Sequence, residues 1–402
     1  MKMNEKIKKL FTTLKESNKN NVVTTLTFCI LILALTVASM VTPVKTYSQL
    51  EKRNLTQRPE FTLKALFDGT YTQDYEKFIT DQFVARDSWI TLKTYTERLL
   101  GKSDSPDKVD EEGNVIPGVY FGKDGYLIEK HTLNNDQLET NLGHIETFLK
   151  KYSDKFSVRV LIAPTASLTL SDKLPLFAPV WDQDAMLDRV AELGSFVDCR
   201  DVLAEHKDEY IYYRADHHWT TLGAYYAYTE LCTSLGIEPY AYEEFNKCVL
   251  SDKFVGTLAA KVNMKTENDE LFTLERDVSV TVSYPLSPGK ETTNTLYEEK
   301  HLSTSDKYST FLDGNQPMVD ITTSTKNGKT LLLIKDSYSH CMVPMLTSHY
   351  ERIILIDLRS YGQSFPDSVS MLLKTNESID DIVILYNAEN FSEDRNIYRI
   401  TR

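Results

Sequence analysis

The chain has 402 residues, 41% of them hydrophobic and 26% charged, which excludes a fibrous or disordered protein and allows one large domain with an appendage, or two domains. Its net charge of −13 is unevenly placed, because the N-terminal segment holds Lys2, Lys6, Lys8, Lys9, Lys15 and Lys19 against Glu5 and Glu16. The remaining body is more acidic still, and that excludes the broad basic surface nucleic-acid binding needs.

Residues 1–21 read as a cytoplasmic tail. Val22 to Thr42 follows as VVTTLTFCILILALTVASMVT, with no ionisable group except the thiol of Cys29. At about 1.5 Å per residue this run spans the roughly 30 Å core of a bilayer. Lysines crowd its N-terminal side, so the positive-inside rule exports everything after Pro43. Val37-Ala38-Ser39 has the form of a signal-peptide cleavage site. The apolar run, however, exceeds the roughly 7–15 residues of a signal peptide, so an uncleaved transmembrane anchor is expected.

Residues 43–118 read as a tether and an N-terminal helical segment. Phe67, Tyr71, Tyr75, Phe78, Phe83 and Trp89 recur near the 3.6-residue period and predict one helix from Leu66 to Leu100. Within it, Asp81-Gln82-Phe83-Val84-Ala85-Arg86-Asp87 is read as a helix face packing on the main body, with a structural clamp as the alternative. Residues 101–118 are rich in Gly, Asp and Pro and read as loop.

From 119 to 402 a single catalytic domain is expected. Val119 to Ile128 alternates around Lys123-Asp124-Gly125, a hairpin signal. A helix is predicted over 134–151, a buried strand over Ser157–Pro164, a helix over 182–193 and a short strand at Ser195–Asp198. Tyr210–Tyr213 forms a third strand-like element and 221–235 a helix. Residues 240–325 break this alternation with short pieces such as Val278–Tyr284, and read as a β-rich insertion. Thr330–Lys335, Arg352–Leu358 and Asp381–Tyr386 restore it. Apolar strands alternating with helices imply a mostly parallel sheet covered on both faces. The five cysteines (Cys29, Cys199, Cys232, Cys248, Cys341) show no C-x-x-C spacing and read as isolated thiols, although Cys232 and Cys248 could pair outside the cell.

Two stretches carry the chemistry. Asp216-His217-His218-Trp219 places a carboxylate and two imidazoles just before a predicted helix. Leu331–Lys335 is an apolar strand that ends in Asp336-Ser337-Tyr338. Open parallel sheets bind ligands at the carboxyl ends of their strands, where Ser337 falls. A serine needs a base within hydrogen-bond reach. His218 is the candidate base, and Asp216, two residues away, can orient its Nδ1. The bland readings are an N-cap for Ser337 and a helix cap with a structural ion pair for Asp216. His217, Trp219, Tyr338, Arg359, Tyr386 and Asn387 are further candidates for oxyanion or substrate contacts. No metal or other cofactor is expected.

The chain resembles the DHHW proteins, named for the tetrapeptide that here is Asp216-His217-His218-Trp219. These are similar to the SGNH-hydrolase-like alginate O-acetyltransferases of the bacterial envelope. The resemblance runs from the apolar N-terminal segment through Asp81–Arg86 and Gly122–Leu127 to the C-terminus. It implies an SGNH-like three-layer α/β/α domain in which Ser337, His218 and Asp216 form a triad. It also implies transfer of an acyl group, such as acetyl, to a polysaccharide, supplied by a membrane-bound O-acyltransferase partner. The usual Gly-Asp-Ser block reads Lys335-Asp336-Ser337 here, and no clear glycine or asparagine block for an oxyanion hole is present. An esterase with the same triad, a metal-dependent phosphoesterase using Asp216-His217-His218 and a non-catalytic glycan-binding protein are the rival readings.

Overall fold

The computed structural model describes residues 2–109, 115–364, 369, 372–373 and 378–401. They fall into two compact units, Met1–Lys93 and Thr94–Arg402.

In the first unit a single helix, Lys2–Val41, contains the 23-residue stretch Lys19–Val41, whose mean hydropathy of 2.3 makes it long and apolar enough to cross a membrane. The helix expected over 66–100 is instead three helices, Leu63–Phe67, Thr70–Asp81 and Arg86–Leu99. Gly69 (φ 86°) and Ala85 (φ 53°) sit at the two breaks in left-handed conformations, which no helix interior accepts. The second break is fixed by charge. Asp81 accepts from both Arg53 nitrogens at 2.6 and 3.0 Å and from the Thr56 N–H at 2.8 Å, while Arg86 reaches Glu51 at 2.6 Å. These pairs make the segment a clamp within this unit, and the unbroken helix expected here is corrected.

The second unit is built on a six-stranded sheet. Its strands are β1 (Ser157–Ala163), β2 (Val280–Ser283), β3 (Met318–Thr323), β4 (Thr330–Lys335), β5 (Arg352–Ile356) and β6 (Asp381–Asn387). The spatial order is β2-β3-β5-β4-β6-β1. Strands β1, β6, β4 and β5 are parallel neighbours, whereas β3 runs antiparallel to both β5 and β2. The sheet is thus mixed at one edge. The edge strand β2 and its neighbour β3 both come from residues 240–325, so that segment adds to the sheet as well as forming the separate ribbon Asn246–Phe254 with Asp269–Glu275.

The period-two alternation explains the packing. Leu331, Leu333, Leu355 and Val383 face one core together with Ala224, Tyr228 and Leu231 of the helix Thr221–Ser234. Leu332, Ile334, Ile354 and Ile382 face another, with Ile145 and Phe148 of Asn135–Tyr152 and Leu187 of Gln183–Ala191. Each fully buried Leu or Ile contributes on the order of 1.5–3 kcal/mol, so a slip of register by one residue is strongly opposed.

Two expected strands are reduced to bridges. Phe196 pairs with Val160 alone, and Tyr212 pairs with Trp219, only seven positions further along. The second case matters, because the chain folds back on itself there. Tyr213 N–H bonds the His218 carbonyl at 3.3 Å and Thr220 N–H bonds that of Ile211 at 2.9 Å. The intervening residues, including Asp216 and His217, form a looped tip. All five cysteines are free, with Cys232 buried and Cys248 exposed.

Candidate active site

Strand β4 and its neighbour β6 place the serine. Lys335 is paired with Leu385, so the chain leaves β4 beside the end of β6. Asp336 is fully buried and begins a single 3-10 turn, Ser337–Ser339. Its Oδ1 accepts the Tyr338 N–H at 2.9 Å. Its Oδ2 accepts the Asn387 N–H at 2.9 Å, Asn387 Nδ2 at 3.0 Å and Asn390 Nδ2 at 2.9 Å. A buried carboxylate without such donors would cost several kcal/mol, so this set locks the turn to β6.

The folded-back tip brings the imidazole to that turn. Trp219, wholly buried, donates its Nε1–H to the Tyr338 carbonyl at 2.8 Å, and the Tyr338 hydroxyl donates to the His217 carbonyl. These two bonds cross-link the stretches. Between them, His218 Nε2 lies 2.8 Å from Ser337 Oγ and His218 Nδ1 lies 2.5 Å from Asp216 Oδ1. An ionised carboxylate only accepts, so Nδ1 carries the proton and the Nε2 lone pair faces the serine O–H. The ring of Tyr308 stacks on His218 with centroids 3.9 Å apart and planes at 14°, while its hydroxyl donates to the Ser337 carbonyl at 3.2 Å.

Asp216 is held from behind. Its second oxygen accepts the Thr257 N–H at 2.8 Å and the Thr257 hydroxyl at 3.2 Å. Burial alone would raise this carboxyl. The fields of His217 and His218, with hydrogen bonds from His218 and Thr257, outweigh that and hold it well below the usual carboxylate range. It therefore stays ionised. Gly256 makes the approach possible, since a Cβ there would lie 2.2 Å from Asp216 Cβ and 2.4 Å from the Ala215 carbonyl oxygen.

The other candidates separate by location. His217 donates or accepts at Thr257 Oγ1, 3.0 Å away, and its half-open ring walls a cavity; burial and the neighbouring His218 push its pKa down. Trp219 and Tyr338 tie the two stretches together, and the Tyr338 ring also reaches the cavity wall. Asn387 lines the same cavity, caps the helix Ala388–Glu393 and serves Asp336. Tyr386 is fully buried. Arg359 grips Asp357 through two nitrogens at 2.6 and 2.9 Å, beside the buried Lys335, whose pKa burial pushes down to about 8. Neither Tyr386 nor Arg359 is part of the cavity wall.

Asp216, His217 and His218 offer ligand atoms within 4.8 Å of one another, as a metal site would. Each of the three already meets a protein partner: Asp216 the His218 and Thr257 groups, His217 the Thr257 hydroxyl and His218 the serine. Gly256, Thr257, Tyr308 and the anchoring role of Asp336 escape the sequence reading. Gly256-Thr257 at the head of the short apolar helix Thr257–Val262 is a faint signal, and Tyr308 is one tyrosine among 23.

These features converge on a Ser-His-Asp hydrogen-bonded series at the carboxyl edge of an α/β sheet. The family model described as DHHW protein matches residues 181–356, which include both stretches. The resemblance of this chain to the DHHW proteins is thereby shown. Its fold is similar to that of a DHHW family protein from Eubacterium siraeum, with 22% identity, a TM-score of 0.59, and coverage of 74% of this chain and 97% of that one. It is also similar to Bacillus cereus PatB1, solved with a sulfonyl adduct, with 17% identity, a TM-score of 0.56, and coverage of 70% and 99%. The O-acetyltransferase domain of Pseudomonas putida AlgJ aligns at 13% identity over 69% of this chain and 94% of that one, with a TM-score of 0.46. Among curated proteins no sequence match is found.

Proposed function

We propose that this protein is a membrane-anchored, extracytoplasmic O-acetyltransferase of the SGNH-like class, acting on a cell-envelope or secreted polysaccharide. Ser337 is the nucleophile, His218 the general base and Asp216 its orienting carboxylate. The observation that carries the reading is the continuous series Ser337 Oγ, His218 Nε2, His218 Nδ1 and Asp216 Oδ1, with separations of 2.8 and 2.5 Å. Two cores, one on each face of the sheet, support the layered arrangement of that class.

In the first step Ser337 Oγ attacks the carbonyl carbon of an activated acyl donor while its proton passes to His218 Nε2. The proton then goes to the departing group, leaving an acetyl ester on Ser337. In the second step a glycan hydroxyl attacks that ester, gives its proton to His218, and Ser337 leaves by taking it back. Asp216 stabilises the imidazolium that forms in each step. The Ser337 N–H, at the start of the turn, is the backbone donor assigned here to the oxyanion.

Location completes the reading. The apolar N-terminal helix, with lysines before it, fits a single-pass anchor whose body is exported. Activated acyl donors are cytoplasmic, so an exported transferase needs a membrane-bound O-acyltransferase partner to relay the group.

Incubation with an activated acetyl ester should leave one acetyl group on Ser337, read by mass spectrometry, and a sulfonyl fluoride should block it at the same atom. Unchanged labelling of a Ser337→Ala variant sinks the assignment. Acetate release that polysaccharide neither diverts nor accelerates would make the enzyme an esterase with the same three residues.

A further inference from the structure

A cavity of about 310 Å³ opens beside the Ser337 turn, and the steps above leave most of its wall unused. Asp216, a member of the hydrogen-bonded series, lines it together with His217 and Tyr338, the chain neighbours of His218 and Ser337. Leu127, Ala166 and Leu258 supply apolar surface, and Glu129, Lys261 and Glu389 supply the remaining charge. The volume is at the small end of ligand pockets, enough for one sugar ring rather than several.

The charges around it are one-sided. Lys261 is the only cation among the lining residues, and its ammonium is already paired with Glu129. Glu389 faces the imidazole of His131 at 3.7 Å, and Glu393 lies 3.4 Å from the same ring. Burial, then the field of Glu129, pushes the Glu389 carboxyl well above its ordinary range. Burial keeps His131 and His217 on the neutral side. Among the described residues that line it, the cavity thus offers two carboxyl groups at Glu129 and Glu389, a third at Asp216, and no cation free to receive an anion.

We propose that this cavity is the acceptor subsite and that it takes an uncharged sugar residue, not a uronate or other anionic sugar. The proposal rests on the acyl-transfer reading above. A pyranose ring presents an apolar C–H face, which suits Leu127, Ala166 and Leu258. Its hydroxyls meet Glu129, the neutral Glu389 acid, which both donates and accepts, and the lone pairs of Ser167, whose Oγ accepts from Gln183 at 2.7 Å. A sugar carboxylate in the same place would lie beside the ionised Asp216, with no free cation among the lining residues to receive it.

The test measures acetyl transfer from an activated ester to neutral oligosaccharides (cello-, xylo- and manno-hexaose) and to hexagalacturonate, at equal concentration. At least one neutral acceptor should exceed the uronate by on the order of tenfold or more, because a like-charge contact costs at least that much in affinity. Glu389→Lys should shift the ratio toward the uronate. Glu129→Gln, which frees Lys261, should move it the same way and stands in if the first variant does not fold. The ratio is internal to each preparation, so damage to acylation cancels. Equal transfer to both classes, transfer to the uronate alone, transfer to none of the neutral panel, or a ratio unmoved by both variants overturns the proposal. If Ser337 takes no acetyl group, it is the acyl-transfer reading that fails. Calorimetric titration of Ser337→Ala with the same oligosaccharides still tests the cavity, and binding of the uronate as tight as the best neutral sugar refutes it.

Discussion

Replacing Gly256 by alanine tests whether the position of Asp216 governs the site. The backbone there has φ −80° and ψ −176°, extended values any residue adopts, so only space forbids a side chain. An added methyl would sit 2.2 Å from Asp216 Cβ and 2.5 Å from Asp216 Cα. Carbon atoms pack at about 3.5–4.0 Å, so the tip must retreat by roughly 1.3 Å or more. Its bonds to His218 and, through it, to Ser337 are now 2.5 and 2.8 Å long. A shift of that size takes one of them beyond the roughly 3.2 Å limit of a good hydrogen bond. Misplacement by about 1 Å costs on the order of 100-fold in rate, and overpacking of this kind costs about 1–3 kcal/mol in stability. The assay is kcat/KM on an activated acetyl ester, with a denaturant midpoint on the same preparation. A folded Gly256→Ala protein with unaltered kcat/KM refutes the argument.

Other outcomes follow from the same geometry. Asp216→Asn presents an amide N–H to His218 Nδ1, moving the ring proton to Nε2, where it can no longer accept from Ser337. Ester turnover should fall on the order of ten-thousand-fold with little change in melting temperature, and a loss of less than tenfold contradicts the orienting role. Acid should destabilise the fold. Burial pushes the pKa of His349 down to about 4 and depresses His131, His217 and His340 as well. The unfolded chain takes up protons below about pH 6.5 that the folded chain refuses, so stability is full above that value and is lost as pH falls toward 4. His349 alone, at 8% exposure, contributes on the order of 2 kcal/mol after allowance for solvent reaching the ring. Glu389, raised by burial, acts in the opposite direction within its own range and softens the decline. Denaturant midpoints at pH 7.5 and 5.0 give the answer, and a midpoint that holds or rises on acidification refutes it.

Legibility in the sequence tracks how local each cause is. Strands β1, β4, β5 and β6 announce themselves as short β-branched runs, because a strand buried on both faces needs nothing else. The apolar N-terminal helix is equally plain. The break at Ala85 is not, since it is set by charges that arrive from Glu51 and Arg53. Of the three site residues only Ser337 is placed by a strand end; Asp216 and His218 sit on a folded-back tip, and it is the motif and its family resemblance that pair them with the serine. What holds them there is another matter. Gly256 acts through the space it leaves, and Tyr308 through a ring stacked on His218 from a segment with no periodic pattern. Trp219 and Tyr338 invite a ligand-contact reading because aromatic residues beside catalytic motifs often touch substrate. Their N–H and O–H are spent instead on carbonyls of the opposite stretch.

The anchoring of Asp336 by Asn387 and Asn390 sets when this molecule can become active. Those two amides lie 51 and 54 positions after Asp336, so the turn is completed only by residues synthesised later. Until β6 and its following helix dock, the turn bearing Ser337 lacks three of the donors its neighbouring carboxylate uses. A chain that holds both motif stretches but not yet β6 should therefore stay inert. Trimming the C-terminus back past Asn387 should silence the serine while leaving both motif stretches intact.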